Sequence, residues 1–108
     1  MLPEKIEKLL MLIPKGKVTT YAAVANILNT SPRTVGRILG KNRFPIIVPC
    51  HRVVRSDGSL GGYSGPGRVR GKNALLALEG ITFLENGRIS PSCILREDDL
   101  RVLLNWND

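Results

Sequence analysis

Between two apolar runs, in Ile46-Ile47-Val48-Pro49-Cys50-His51-Arg52-Val53-Val54, a thiol, an imidazole and a guanidinium stand side by side, and His51 is the only histidine of the chain. Apolar, β-branched runs of this length read as a buried strand. Polar groups in the middle of one are costly unless they are paired or put to use, so Cys50 is either a packed core cysteine or a nucleophile. An ordinary thiol is mostly protonated at neutral pH, and the second role needs a base or a positive field. His51 and Arg52 are the nearest suppliers. Neighbours on an extended strand point to opposite faces, so Cys50 and His51 cooperate only if the chain turns there, as Pro49 allows, or if a water bridges them. A histidine base in turn wants a carboxylate to hold its tautomer. Glu79, expected at a helix C-terminus where the dipole disfavours negative charge, is the best candidate. A phosphatase signature would place His before Cys, and a papain-like protease needs a distant His; neither fits. Cys93 has no base near it and reads as structural.

The totals bound the answer. A chain of 108 residues is one domain, long enough to bury a core. Sixteen Lys and Arg against nine Asp and Glu give a net charge of +7, which suits a polyanionic partner, nucleic acid before membrane. Two cysteines in unlike settings make no disulfide framework, favouring a reducing cytoplasmic or nuclear compartment. No apolar run approaches the roughly 18 residues of a membrane span. One His and two Cys without a CxxC do not supply a metal site.

The elements that must position these groups are mostly helical. Pro3 suits a first helical turn, and Ile6, Leu9, Leu10 and Ile13 follow at helical spacing until Pro14 and Gly16. Thr20 caps a second helix carrying Val24, Ile27 and Leu28; Asn29-Thr30 turns the chain; Ser31 and Pro32 start a third helix. Two short helices joined so tightly read as a helix-turn-helix. On the third, Val35, Ile38 and Leu39 form the apolar side, while Arg33, Gly36, Arg37 and Gly40 share an exposed stripe. Glycine within a helix costs about 1 kcal/mol relative to alanine. Either the stripe lets the helix backbone approach a phosphate-lined groove, or Gly40 is a cap and Gly36 a helix contact. Downstream, Gly61–Gly67 is a glycine-rich loop without a P-loop signature. A fourth helix is expected over Lys72–Glu79, a two-residue hairpin turn at Asn86-Gly87, and a last helix over Arg96–Trp106.

Taken together, Lys17-Val18-Thr19-Thr20-Tyr21, Arg33-Thr34-Val35-Gly36, Asn42, Pro49-Cys50-His51-Arg52, Gly62-Tyr63-Ser64-Gly65 and Leu78-Glu79-Gly80 resemble, in order and register, the C-terminal domain of the O6-alkylguanine-DNA alkyltransferases. The resemblance implies a mostly α, winged-helix-like helix-turn-helix domain with a short hairpin, residues 1–108 forming that single domain without the family's N-terminal one. It implies duplex DNA containing O6-alkylguanine as partner, a monomer, no cofactor, and irreversible single-turnover transfer of the alkyl group to Cys50. Glu79 and His51 match the pair that deprotonates the thiol through a water, and Asn42 a residue supporting the Cys50 turn. Arg33 matches the arginine that fills the place of the flipped base, and Tyr21 the tyrosine that rotates the 3′ phosphate. Gly36 and Arg37 lie on the groove-facing helix. Tyr63, Ser64 and Gly65 match the loop lining the pocket, and Val53 lies where a backbone carbonyl reads the guanine amino group. Departures are Arg37, Arg43-Phe44 and the altered Gly65-Pro66-Gly67-Arg68 loop. Small relatives that sense such lesions without repairing them offer the alternative, but typically lack the acceptor cysteine.

Overall fold

The computed structural model describes residues 1–106; Asn107 and Asp108 lie outside them. Among the described residues there are five α-helices and a small three-stranded sheet: α1 Leu2–Met11, β1 Val18–Thr20, α2 Tyr21–Ile27, α3 Pro32–Leu39, β2 Val53–Val54, α4 Arg68–Leu78, β3 Ile94–Leu95 and α5 Glu97–Trp106. No helix among the described residues is long and apolar enough to cross a membrane.

The helix starts follow their local chemistry. Thr20 accepts from the Ala23 amide at 3.0 Å and Ser31 from the Thr34 amide at 3.1 Å, each satisfying an N-terminal donor that the helix itself leaves free. Asn29 takes a left-handed φ of 57° and the Thr30 amide returns to the Ala25 carbonyl at 2.8 Å, so the α2–α3 connection is a tight left-handed reversal. Ile6, Leu9 and Leu10 of α1, Val24 of α2, Val35 of α3 and Leu100 of α5 meet in one core that also contains Cys50, Val53 and Tyr63. A second cluster joins Val18, Val54, Leu76, Ile81, Ile89, Cys93 and Ile94. Cys93 packs there, as a structural residue would.

The sheet was not foreseen from sequence. Its order is β2-β1-β3 and both pairings are parallel, Thr19 opposite Val53 and Val18 opposite Ile94. All three residues of β1 are buried, as parallel strands covered on both faces should be. Thr19 remains tolerable inside because its hydroxyl donates to the Leu95 carbonyl at 2.7 Å. The α2–α3 pair thus lies in the crossover between β1 and β2: α2 follows β1 without a break, and β1 pairs with the strand leading away from Cys50.

Three expectations need correction. Residues 46–54 are not one buried strand: Ile46 and Ile47 are 51% and 70% exposed, and only Val53–Val54 is strand. α4 begins at Arg68 rather than Lys72, because Gly67 and Arg68 both take left-handed backbone angles (φ 74° and 51°) that swing the chain into the helix early. The hairpin is a single bridge, Phe83 to Ile89, closed by Leu84 N–H to the Arg88 carbonyl at 2.7 Å. Its turn has three residues rather than two. Only Gly87 is left-handed, whereas the two-residue type I′ turn needs positive φ at both centres.

Candidate active site

Pro49 bends the chain into the site. With φ −78° and ψ 64° it forms an inverse γ-turn, closed by the Cys50 amide on the Val48 carbonyl at 2.7 Å. Cys50–Arg52 then makes one 3₁₀ turn, so Cys50 and His51 do not alternate as they would on a strand. Asn42, just past α3, secures this bend. Its amide donates to the Val48 carbonyl at 3.0 Å and to Cys50 Sγ at 3.2 Å, while its oxygen accepts the Phe44 amide at 3.0 Å.

His51 is wholly buried, and its Nε2 lies 3.0 Å from Glu79 Oε2. An ionised carboxylate only accepts, so Nε2 carries the proton and Nδ1 keeps its lone pair. Nδ1 has no hydrogen-bond partner among the described residues. Burial pushes the imidazole below its usual pKa of 6.5; the Glu79 bond and charge oppose this and are outweighed, with Arg52 and Lys72 adding to the downward push. The ring is therefore neutral at neutral pH, with a free basic nitrogen. Burial works against ionising Glu79, but the hydrogen bonds from Arg52 and His51, with their charges, hold its carboxyl below the usual carboxylate range.

Arg52 does something other than lend charge to Cys50. Its Nε and Nη2 form a two-pronged pair with Glu79 at 2.8 and 2.7 Å, and Nη1 donates to the Ile13 carbonyl at 2.7 Å. Glu79 at the end of α4, the Cys50 turn and the segment after α1 are thereby tied through one guanidinium. The fork geometry suits arginine and not lysine.

Lys72 was missed altogether. It is fully buried, and its ammonium donates to the carbonyls of Val53 at 2.7 Å, Gly62 at 3.1 Å and Leu60. Burial lowers its pKa to about 8, the Cys50 charge pulling upward and Arg55 downward. It joins β2 to the glycine-rich loop that forms the far wall. The early start of α4 hid it, since Lys72 becomes a mid-helix residue one turn before the buried Leu76.

A cleft of about 1010 Å³ opens over Cys50. It gathers Tyr21, Arg33, Gly36, Cys50, Tyr63 and Ser64. Val53, Gly65 and Arg37 do not line it. Val53 is buried in β2, its carbonyl engaged by Lys72. Gly65 acts sterically, since a Cβ there would fall 2.2 Å from the Tyr63 ring and displace it. Arg37 is exposed elsewhere on α3. A Cβ on Gly36 would meet only the Tyr21 ring, at an ordinary 3.9 Å. Packing inside this chain therefore does not require glycine at 36. Tyr63 is buried with its hydroxyl unpartnered among the described residues, its ring packed edge-on to His51 at 6.4 Å.

Residues 2–81 match the family described as 6-O-methylguanine DNA methyltransferase, DNA binding domain. A methylated-DNA–protein-cysteine methyltransferase of Pyrobaculum aerophilum is 57% identical over 68 residues, 63% of this chain and 45% of that protein. The crystal structure of Mycobacterium tuberculosis OGT in complex with DNA superposes with a TM-score of 0.66 at 39% identity, covering 71% of this chain and 47% of that one. S. pombe ATL in complex with DNA gives 0.65 at 27% identity, covering 87% and 94%. The chain spans about half the length of the methyltransferases it matches. With the matched family covering most of its residues, the chain belongs to the 6-O-methylguanine DNA methyltransferase family, through that family's DNA-binding domain.

Proposed function

We propose that this protein repairs O6-alkylguanine in duplex DNA by moving the alkyl group onto its own Cys50. The reading has α2–α3 acting as a helix-turn-helix in the winged form, with the 81–89 hairpin as its wing. α3 enters the groove, its glycines permitting close approach, and the damaged guanine leaves the stack as an enzyme acting on a base atom requires. Arg33 fills the vacated place, Tyr21 turns the 3′ phosphate, and the base enters the cleft beside Tyr63 and Ser64. The thiol proton passes through a water to His51 Nδ1, and Glu79 offsets the imidazolium charge. Sulfur then attacks the alkyl carbon in line: the S–C bond forms as the C–O6 bond breaks, and the electron pair stays on the guanine. The guanine takes up one proton, so the thiol proton has in net replaced the alkyl group. The thioether on Cys50 ends the protein's activity after one turnover.

The observation that carries this reading is the orphaned Nδ1 of a neutral His51 whose other nitrogen is fixed by Glu79, directly after a cysteine that opens on the cleft. The test is stoichiometry. Guanine restored in an O6-methylguanine duplex should plateau at one per protein, and Cys50→Ser should restore none while still binding the lesion. The structural likeness to S. pombe ATL in complex with DNA, over 87% of this chain and 94% of that one, supports a second reading, lesion sensing without repair. Tight lesion binding by the unaltered protein with no guanine restored would establish it and remove the first.

A further inference from the structure

The cleft over Cys50 is lined by three arginines, Arg33, Arg55 and Arg68, and by no acidic residue. All three are exposed, and none has an ion-pair partner among the described residues. Three unneutralised cations around one opening repel each other in the free protein and focus a positive potential there. Only Arg33 has a role in the repair reading.

Arg55 and Arg68 belong to the wall that follows Cys50 in the chain. Arg55 sits in a turn immediately after β2, its amide bonded to the Ser59 carbonyl and its carbonyl to the Gly58 amide, both at 2.9 Å. The nearby carboxylate does not neutralise it. Asp57 is taken up by the Ser59 amide and hydroxyl, at 2.9 and 2.6 Å, and by Arg88 at 3.8 Å. The Arg55 side chain and the Tyr21 hydroxyl close over the same glycine. A Cβ on Gly61 would lie 3.6 Å from Arg55 Cγ and 3.2 Å from the Tyr21 oxygen. Arg68 reaches the opening from the first residue of α4, placed there by the two consecutive left-handed residues Gly67 and Arg68.

We propose that Arg55 and Arg68 form a second phosphate-binding wall that grips the backbone of the strand carrying the extruded nucleotide, Arg55 acting beside Tyr21 on the phosphate that swings with it. Guanidinium forks match the paired oxygens of a phosphodiester. α3 holds the duplex whether or not a base is out of the stack. The second wall meets the backbone only once the nucleotide has left it. The inference rests on the repair reading only for the flipped base, and lesion sensing would use the same wall.

Binding is measured in a Cys50→Ser background, on matched duplexes with and without O6-methylguanine, across a salt series. Arg55→Ala and Arg68→Ala should each weaken binding of the lesion duplex roughly tenfold, as losing a charged hydrogen bond does. Each should also flatten its salt dependence by about one unit of slope, with the undamaged duplex hardly affected. Arg55→Lys should recover the slope but not the full affinity. Equal losses on both duplexes would make these arginines general DNA contacts and overturn the inference, as would no loss on either. Guanine restoration by the unaltered protein is followed in parallel. Its failure alone removes the repair reading and leaves the second wall to stand or fall on the slopes.

Discussion

The two walls of the cleft are held in place by different physics. The α3 wall is local: a serine cap, a proline at the first turn, an apolar stripe on Val35 and Leu39, and polar groups left in water. The Cys50 wall is built from contacts between residues far apart in the chain. His51 and Arg52 reach Glu79, Arg52 reaches Ile13, and Lys72 gathers three carbonyls. The difference teaches where binding and chemistry separate. On the proposed function, side chains on α3 should change DNA affinity while barely touching the fold, whereas on the Cys50 wall reactivity and stability would share the same bonds.

That contrast can be broken at several points. Glu79→Gln should have the largest effect. It leaves the Arg52 guanidinium buried without its counter-charge, costing about 3 kcal/mol in a denaturant titration, and it should slow alkyl transfer steeply while lesion affinity of the folded protein is kept. Fast transfer by this variant would remove Glu79 from the chemistry. Lys72→Met strips one donor from three carbonyls at once and should cost about 2 kcal/mol by thermal or chemical unfolding. Unchanged stability would mean that the carbonyls re-pair without it.

A pH profile separates the walls in another way. Burial places the pKa of His51 below 6.5 in the folded protein, so the ring takes up its proton at lower pH than a free imidazole does. The acid limb of transfer should therefore be centred below 6.5 and fall by as much as tenfold per pH unit once below the folded pKa (about 1.4 kcal/mol per unit). Stability has the same sign. Below 6.5 the unfolded chain takes up the proton that the folded one refuses, so the protein loses stability as pH falls through that window. An acid limb centred above 6.5 would contradict the buried, neutral base.

On the α3 side the expected effects shrink. Ser31→Ala removes an N-cap and should cost about 1 kcal/mol. Arg37→Ala, on an exposed position, should change stability by less than about 0.5 kcal/mol, yet flatten the salt dependence of binding to any duplex by about one unit. Unchanged affinity would turn that face of α3 away from the DNA.

What could be read in advance follows the same division. Pro3, Thr20, Ser31 and Pro32 act on the backbone beside them, so α1, α2 and α3 were visible before any tertiary contact was known. Glu79 was conspicuous because a carboxylate at a helix C-terminus works against the dipole, and its partners turned out to be His51 and Arg52. The parallel sheet left no such mark, since strands of two or three residues are too short to show a period. Ile46 and Ile47 looked buried because an apolar run carries no information about which face meets solvent. Arg52 was read as a source of positive charge for Cys50 and Lys72 was missed for a related reason: their bonds run to Glu79 and Ile13 and to Val53, Leu60 and Gly62, partners that only the fold brings within reach.

The central claim is that Cys50 is the acceptor, armed by the Glu79-fixed His51. Intact and peptide mass analysis of the unaltered protein, after incubation with an O6-methylguanine duplex, addresses it most directly. The expected result is a gain of one methyl group per chain, confined to the peptide containing Cys50. No gain on a protein that still binds the lesion tightly, or a methyl group on Cys93 instead, would contradict it.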